Sequence, residues 1–140
     1  MRKLSTVLLV DDDDTSNFLA ERLLLSMNVA DQVLVALNGA EALELLAEHG
    51  TLFSPANPAL VLLDLNMPVM NGIEFLDAYQ ALPKFQQHAV VIVVLTTSMN
   101  SRDLDRVETL PIAGLASKPL TREKLDTILQ VNFQRRAPAH

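Results

Sequence analysis

Cysteine is absent from this 140-residue chain, which excludes disulfides and thiol chemistry and is compatible with a reducing cytosol. A cytoplasmic location is the expectation. Glycine is scarce, with four residues, and a hydrophobic fraction of 49% beside 20% charged residues describes a globular protein rather than a fibrous or disordered one. Basic clusters are missing too. Lys and Arg total 11 against 17 Asp and Glu, the formal charge is -6, and near the ends there are only the pairs Arg2-Lys3 and Arg135-Arg136. Phosphate backbones demand clustered Lys and Arg, so a nucleic acid is not an expected partner. No apolar run approaches the ~20 residues of a membrane span, and no membrane partner is expected. The opening MRKLSTVLLV turns from positive to apolar, but its short run meets four aspartates instead of a small-residue cleavage site, and no signal peptide is expected.

What the chain does contain is a regular alternation. Short runs rich in Val, Leu and Ile recur at 6–10, 32–37, 59–63, 89–95 and 112–116, each of strand length. Between them lie stretches with helical spacing: Leu19, Leu23 and Met27, then Leu43, Leu46 and Ala47, and finally Leu125, Ile128, Leu129 and Phe133. Asn38-Gly39-Ala40-Glu41 and Asn71-Gly72-Ile73-Glu74 both resemble capping boxes, Ser101 opens a helix through Glu108, and Thr121 with Glu123 opens the last. The predicted fold is α/β: one doubly wound domain over 4–133, with five parallel strands buried on both faces and helices on each side. A long loop with two prolines spans 49–58. Residues 134–140 are expected to be a short tail, with no output domain.

Four acids, Asp11 to Asp14, stand where the first apolar run ends. Two like charges about 4 Å apart repel by ~4 kcal/mol at an effective dielectric of ~20, so something must gather them. In an open α/β sheet the ligand site lies outside the carboxyl ends of the strands, where strand order reverses. For the order 2-1-3-4-5 that point falls between the first and third strands, which end in Asp11-Asp12 and Asp64. The fourth strand brings Thr96-Thr97-Ser98 to the same edge and the fifth brings Lys118. Three carboxylates, a hydroxyl and an ammonium suit a hard cation, Mg2+, beside a phosphate-like anion.

The motifs VDDD at 10–13, LLDLNMPVMNG at 62–72, LTTS at 95–98 and SKP at 117–119 each fall at a strand end. Together they make the chain resemble a response-regulator receiver domain of the single-domain, chemotaxis-regulator-like type, a flavodoxin-like three-layer sandwich used in bacterial two-component signalling. The resemblance implies that Asp64 accepts a phosphoryl group from a sensor histidine kinase or a histidine phosphotransfer protein. It implies Mg2+ ligated by Asp12, Asp64 and the backbone carbonyl of Asn66, with Asp11 acting through a water, and Thr96 and Lys118 binding phosphoryl oxygens. Such a domain is no enzyme in the ordinary sense: it catalyses its own phosphotransfer and slow dephosphorylation. It signals to an unknown downstream protein through a surface, and the resemblance admits a homodimer through the fourth helix, fifth strand and fifth helix.

The plainer readings divide by residue. Asp13 and Asp14 suit a helix N-terminus and are left out of the site. An EF-hand fails: counted from Asp11, positions six and twelve are Ser16 and Arg22, and from Asp12 they are Asn17 and Leu23. Thr97 and Ser98 carry hydroxyls that compete for the role given to Thr96. His49, His88 and His140 sit on predicted loops or the tail and read as neither phosphodonor nor ligand. Leu115 departs from the family, since many receivers carry Tyr or Phe three residues before the lysine as a switch; here Leu115 is expected to fill the space that opens when phosphorylation draws Thr96 inward, with a smaller bias between the two states. Two alternatives stand beside the main reading. An Asp-nucleophile, Mg2+-dependent phosphohydrolase of the haloacid-dehalogenase kind would want an Asp where Asn66 stands and its nucleophile on the first strand. A non-phosphorylated interaction module is a degenerate receiver, and it is disfavoured because no site residue is missing.

Overall fold

The computed structural model describes residues 4–50, 53–54, 56–82, 89–97 and 101–133, without the side chains of 101–104. Ser98, His88, His140, the 134–140 tail, the Ser101 side chain and parts of the 49–58 loop lie outside that description. Among the described residues the elements run β1 (Leu4–Val10), α1 (Asp14–Met27), β2 (Ala30–Ala36), α2 (Gly39–Glu48), β3 (Ala59–Leu63), α3 (Gly72–Gln80), β4 (Val90–Thr96), α4 (Ser101–Glu108), β5 (Gly114–Ser117) and α5 (Arg122–Phe133). The strands form one parallel sheet in the order β2-β1-β3-β4-β5. No helix among the described residues is long and apolar enough to cross a membrane.

β-branched and leucine side chains build the sheet because they pack well on a pleated surface covered on both sides. Every residue of β3 is buried, and β1 and β4 are nearly so. Burial on both faces stops there: β2 is largely half-buried and β5 alternates between half-buried and exposed, because each is an edge strand with a neighbour on one side only. Two cores result. On one face Leu8, Val10, Val61 and Leu63 meet Leu46 of α2, Phe75 and Tyr79 of α3 and Val107 of α4. On the other, Val7, Leu9, Leu60 and Leu62 meet Leu24 of α1 and Leu125, Ile128 and Leu129 of α5. Each such side chain, fully buried, contributes about 1.5–3 kcal/mol against leaving it in water.

The helix starts follow from their polar caps. Asp13 caps α1, its carboxylate accepting from Ser16 N and from Ser16 Oγ. Asn71 caps α3 in a complete capping box, with Glu74 returning a carboxylate to Asn71 N at 2.9 Å. The expected box at Asn38 is only half made. Asn38 accepts from Glu41 N, but the Glu41 carboxylate takes Leu37 N instead of Asn38 N. α1 ends on Asn28 in the left-handed region (φ 54°), a conformation asparagine tolerates.

Candidate functional site

Register decides which side chains meet. Val10 pairs with Ala36 and with Leu63, and Leu63 pairs with Val94. The ladder runs one residue further, as Asp11 N donates to Ala36 O at 3.0 Å and Asp64 N to Val10 O at 2.9 Å. Asp11 and Asp64, distant in sequence, therefore emerge side by side from the carboxyl edge. β4 reaches beyond β3 to Thr96, which pairs with Ser117, and Lys118 N donates to Thr96 O at 2.9 Å.

The side chains close the arrangement. Carboxylate oxygens of Asp11, Asp12 and Asp64 lie within 4.8 Å of one another, with Asp11 and Asp64 buried and Asp12 exposed. The Lys118 ammonium donates to Asp11 Oδ2 at 2.5 Å and stands 3.7 Å from Asp64 Oδ1. Asp11 is held further by Asp13 N, which donates to its Oδ1 at 2.9 Å. Burial pushes the Asp64 carboxyl above its ordinary value. The Lys118 charge works against that push, the neighbouring Asp11 adds to it, and the backbone N–H groups of Asn66 and Leu65 favour the charged form. Asp13 goes the other way, lowered chiefly by the Ser16 hydroxyl, as befits a cap rather than a ligand.

These residues fit a hard divalent cation. All the donors are carboxylate oxygens, one of the three faces water, and the buried Asp64 carries a like-charge conflict that a cation relieves. A cavity of about 300 Å³ opens beside them, lined in part by Asp11, Asp64, Thr97 and Lys118. Thr96 is the buried last residue of β4, whereas Thr97 is exposed and lines that cavity. Asn66 is exposed, two residues past Asp64. Leu115 pairs with Val94, on the face of the sheet that Thr96 shares, but 42% of it is exposed and it belongs to neither core. β5 is a four-residue edge strand, and among the described residues that side chain stays partly open to water.

Three contributors escape a reading by motif. Asn17, buried in α1, donates from Nδ2 to Asp11 O at 2.8 Å and so ties the acidic strand end to the helix. Gly72, which sequence presents only as part of a capping box, packs so closely that a Cβ there would sit 2.6 Å from Asp64 O. Lys124 reaches back from α5 to the segment carrying Lys118. The available signals were a polar residue on a helix's inner face, an Asn-Gly pair beside the site, and a cation in a helix's first turn.

Comparison with known proteins bears on the family and the fold. Residues 7–130 match the response regulator receiver domain family. A probable chemotaxis protein CheY of Rhizobium etli is 31% identical over 127 residues, covering 91% of this chain and 91% of that one. Response regulator Rcp1 of Synechocystis is 31% identical over 98 residues, covering 70% of this chain and 65% of its own length. A two-component response regulator from Cytophaga hutchinsonii superposes with a TM-score of 0.81 at 27% identity, over 96% of this chain and 100% of the other. The chain belongs to the response regulator receiver domain family of two-component signalling.

Proposed function

We propose that Asp64 is the phosphoacceptor of this receiver, taking a phosphoryl group from a sensor histidine kinase or a histidine phosphotransfer protein, and that the phosphorylated domain signals by binding a downstream protein. The observation that carries the reading is the meeting of Asp11, Asp12, Asp64 and Lys118 at one sheet edge. An Asp64 oxygen attacks phosphorus, and the bond to the donor breaks with its electron pair staying on the donor. Lys118, now shared between Asp11 and Asp64, is placed to pair with a phosphoryl oxygen, and Thr96 supplies a hydroxyl from the adjacent strand. Asp12, Asp64 and the Asn66 carbonyl would hold Mg2+, with Asp11 acting through a water; when bound, the ion neutralises phosphoryl charge. Family membership supports a signalling role rather than turnover of a substrate.

Acetyl phosphate, with and without Mg2+, tests the reading by intact mass spectrometry. One added phosphoryl group is expected only with the metal and only while Asp64 is intact. Undiminished labelling of Asp64→Asn would sink the assignment.

A further inference from the structure

Lys124 stands where helix electrostatics argue against a cation. It lies in the first turn of α5, whose unpaired backbone amides carry partial positive charge. That turn also has its own cap, because Thr121 Oγ1 accepts from Lys124 N at 3.2 Å. The compensation lies at the far end of the side chain. An ammonium has three donors, and three acceptors meet this one: Ser117 O at 2.7 Å, Ser117 Oγ at 3.0 Å and Pro119 O at 3.0 Å. Ser117 and Pro119 flank Lys118 on either side. The Lys118 backbone is thus held from β4 by its bond to Thr96 O, and from α5 by the two carbonyls around it.

We propose that Lys124 is a positioning residue, clamping the peptide units on both sides of Lys118 to the start of α5 and so aiming the Lys118 ammonium into the carboxylate cluster. Its use in phosphoryl transfer rests on the phosphoacceptor reading of Asp64. The clamp itself rests on the hydrogen bonds. A clamped backbone lets the Lys118 side chain swing from Asp11 toward a new phosphoryl oxygen while its root stays in place. Orientation of this kind governs rate steeply, since a misplacement of about 1 Å costs up to about a hundredfold.

Lys124→Met keeps the aliphatic stem and removes all three donors. Two measurements on the full chain separate the clamp from the chemistry. In metal-free protein, ¹⁵N relaxation should show lower order at Ser117, Lys118 and Leu120 in the variant than in the wild type; unchanged order there overturns the clamp. With acetyl phosphate and Mg2+, labelling of Asp64 should slow about tenfold, within the range that misorientation produces. In a Lys118→Met background the second substitution should slow it no further. A general loss of stability would slow both backgrounds alike, and that result, or an unchanged rate in a wild type that does label, overturns the positioning role. If the wild type takes no label while the loop loosens as expected, the phosphoacceptor reading falls and the clamp stands.

Discussion

Asp64→Asn should make the metal-free protein more stable at neutral pH, although it removes an ion pair. The Asp64 and Asp11 carboxylates lie no more than 4.8 Å apart, a repulsion of about 3.5 kcal/mol at an effective dielectric of about 20. Asp12 adds to it with the same sign, weakened by water. Against this, Lys118 at 3.7 Å attracts Asp64 by about 4.5 kcal/mol on the same scale. The two nearly cancel, Lys118 is already engaged by Asp11 at 2.5 Å, and burial of the charge tips the balance. Hence the carboxyl titrates above its ordinary 3.8. A carboxyl whose folded value is raised stabilises the fold below the unfolded value and loses that contribution as pH rises through the folded one. At neutral pH the charge is a liability, and an amide of the same shape removes it. For a chain of this size each kcal/mol removed in this way appears as a rise of about 2–6 °C in Tm. Thermal unfolding of both proteins without metal should show the variant melting higher at neutral pH. The gap should close as pH falls from the raised folded value toward 3.8, and Mg2+ should raise the wild type more than the variant. A variant that melts lower at neutral pH without metal refutes the reasoning, because Lys118 would then outweigh burial and Asp11 together.

Asp12→Ala should weaken Mg2+ binding more than Asp13→Ala, whose carboxylate is spent on capping Ser16; metal titration decides, and equal losses would misplace the acidic cluster's register. Gly72→Ala forces a Cβ to 2.6 Å from Asp64 O and 2.8 Å from Leu65 Cα, both backbone, and should cost about 1–3 kcal/mol in urea unfolding. Gly114→Ala, with nothing within 4 Å, should stay within about 0.5 kcal/mol, and like behaviour of the two would discredit the packing argument.

How much of this was legible in sequence depended on how local the cause was. Strand β3 matched its apolar run at both ends, since Pro58 precedes it and Asp64 stops it. The edge strands drifted. β2 starts two residues earlier than its apolar run because pairing with β1, through Leu4↔Ala30, carries the strand across the polar Asp31, which hydropathy ignores. β5 begins at Gly114 rather than at Ile112, which packs against the core from the preceding loop. Caps at Asp13, Asn38 and Asn71 read correctly because capping spans three or four residues, although only the structure shows which Glu returns to which amide. The acidic meeting point followed from strand order. Contacts made across the fold had no such signature: the Arg106 to Asp77 ion pair joining α4 to α3, Asn17 on the Asp11 carbonyl and the Lys124 clamp all depend on how helices settle. The exposure of Leu115 had no such signature either, because motif spacing locates a residue along a strand and says nothing of what covers an edge.

The uniform burial of β3 has a consequence for folding. A strand apolar on one face announces its alignment, since sliding it by a residue turns greasy side chains into water. ALVLL is apolar on both faces, so such a slide exchanges Leu for Val and Leu for Leu at little hydrophobic cost. What resists is the charge at its end. A shift in one direction would drag Asp64 into the dry middle of the sheet away from Lys118, and a carboxylate buried without a partner costs several kcal/mol. β1 has the same construction, with Asp11 closing a run of buried residues. The carboxylates thus act as end stops that set the two central strands in line, and a variant that neutralises both would lose a guide to assembly as well as a place for chemistry.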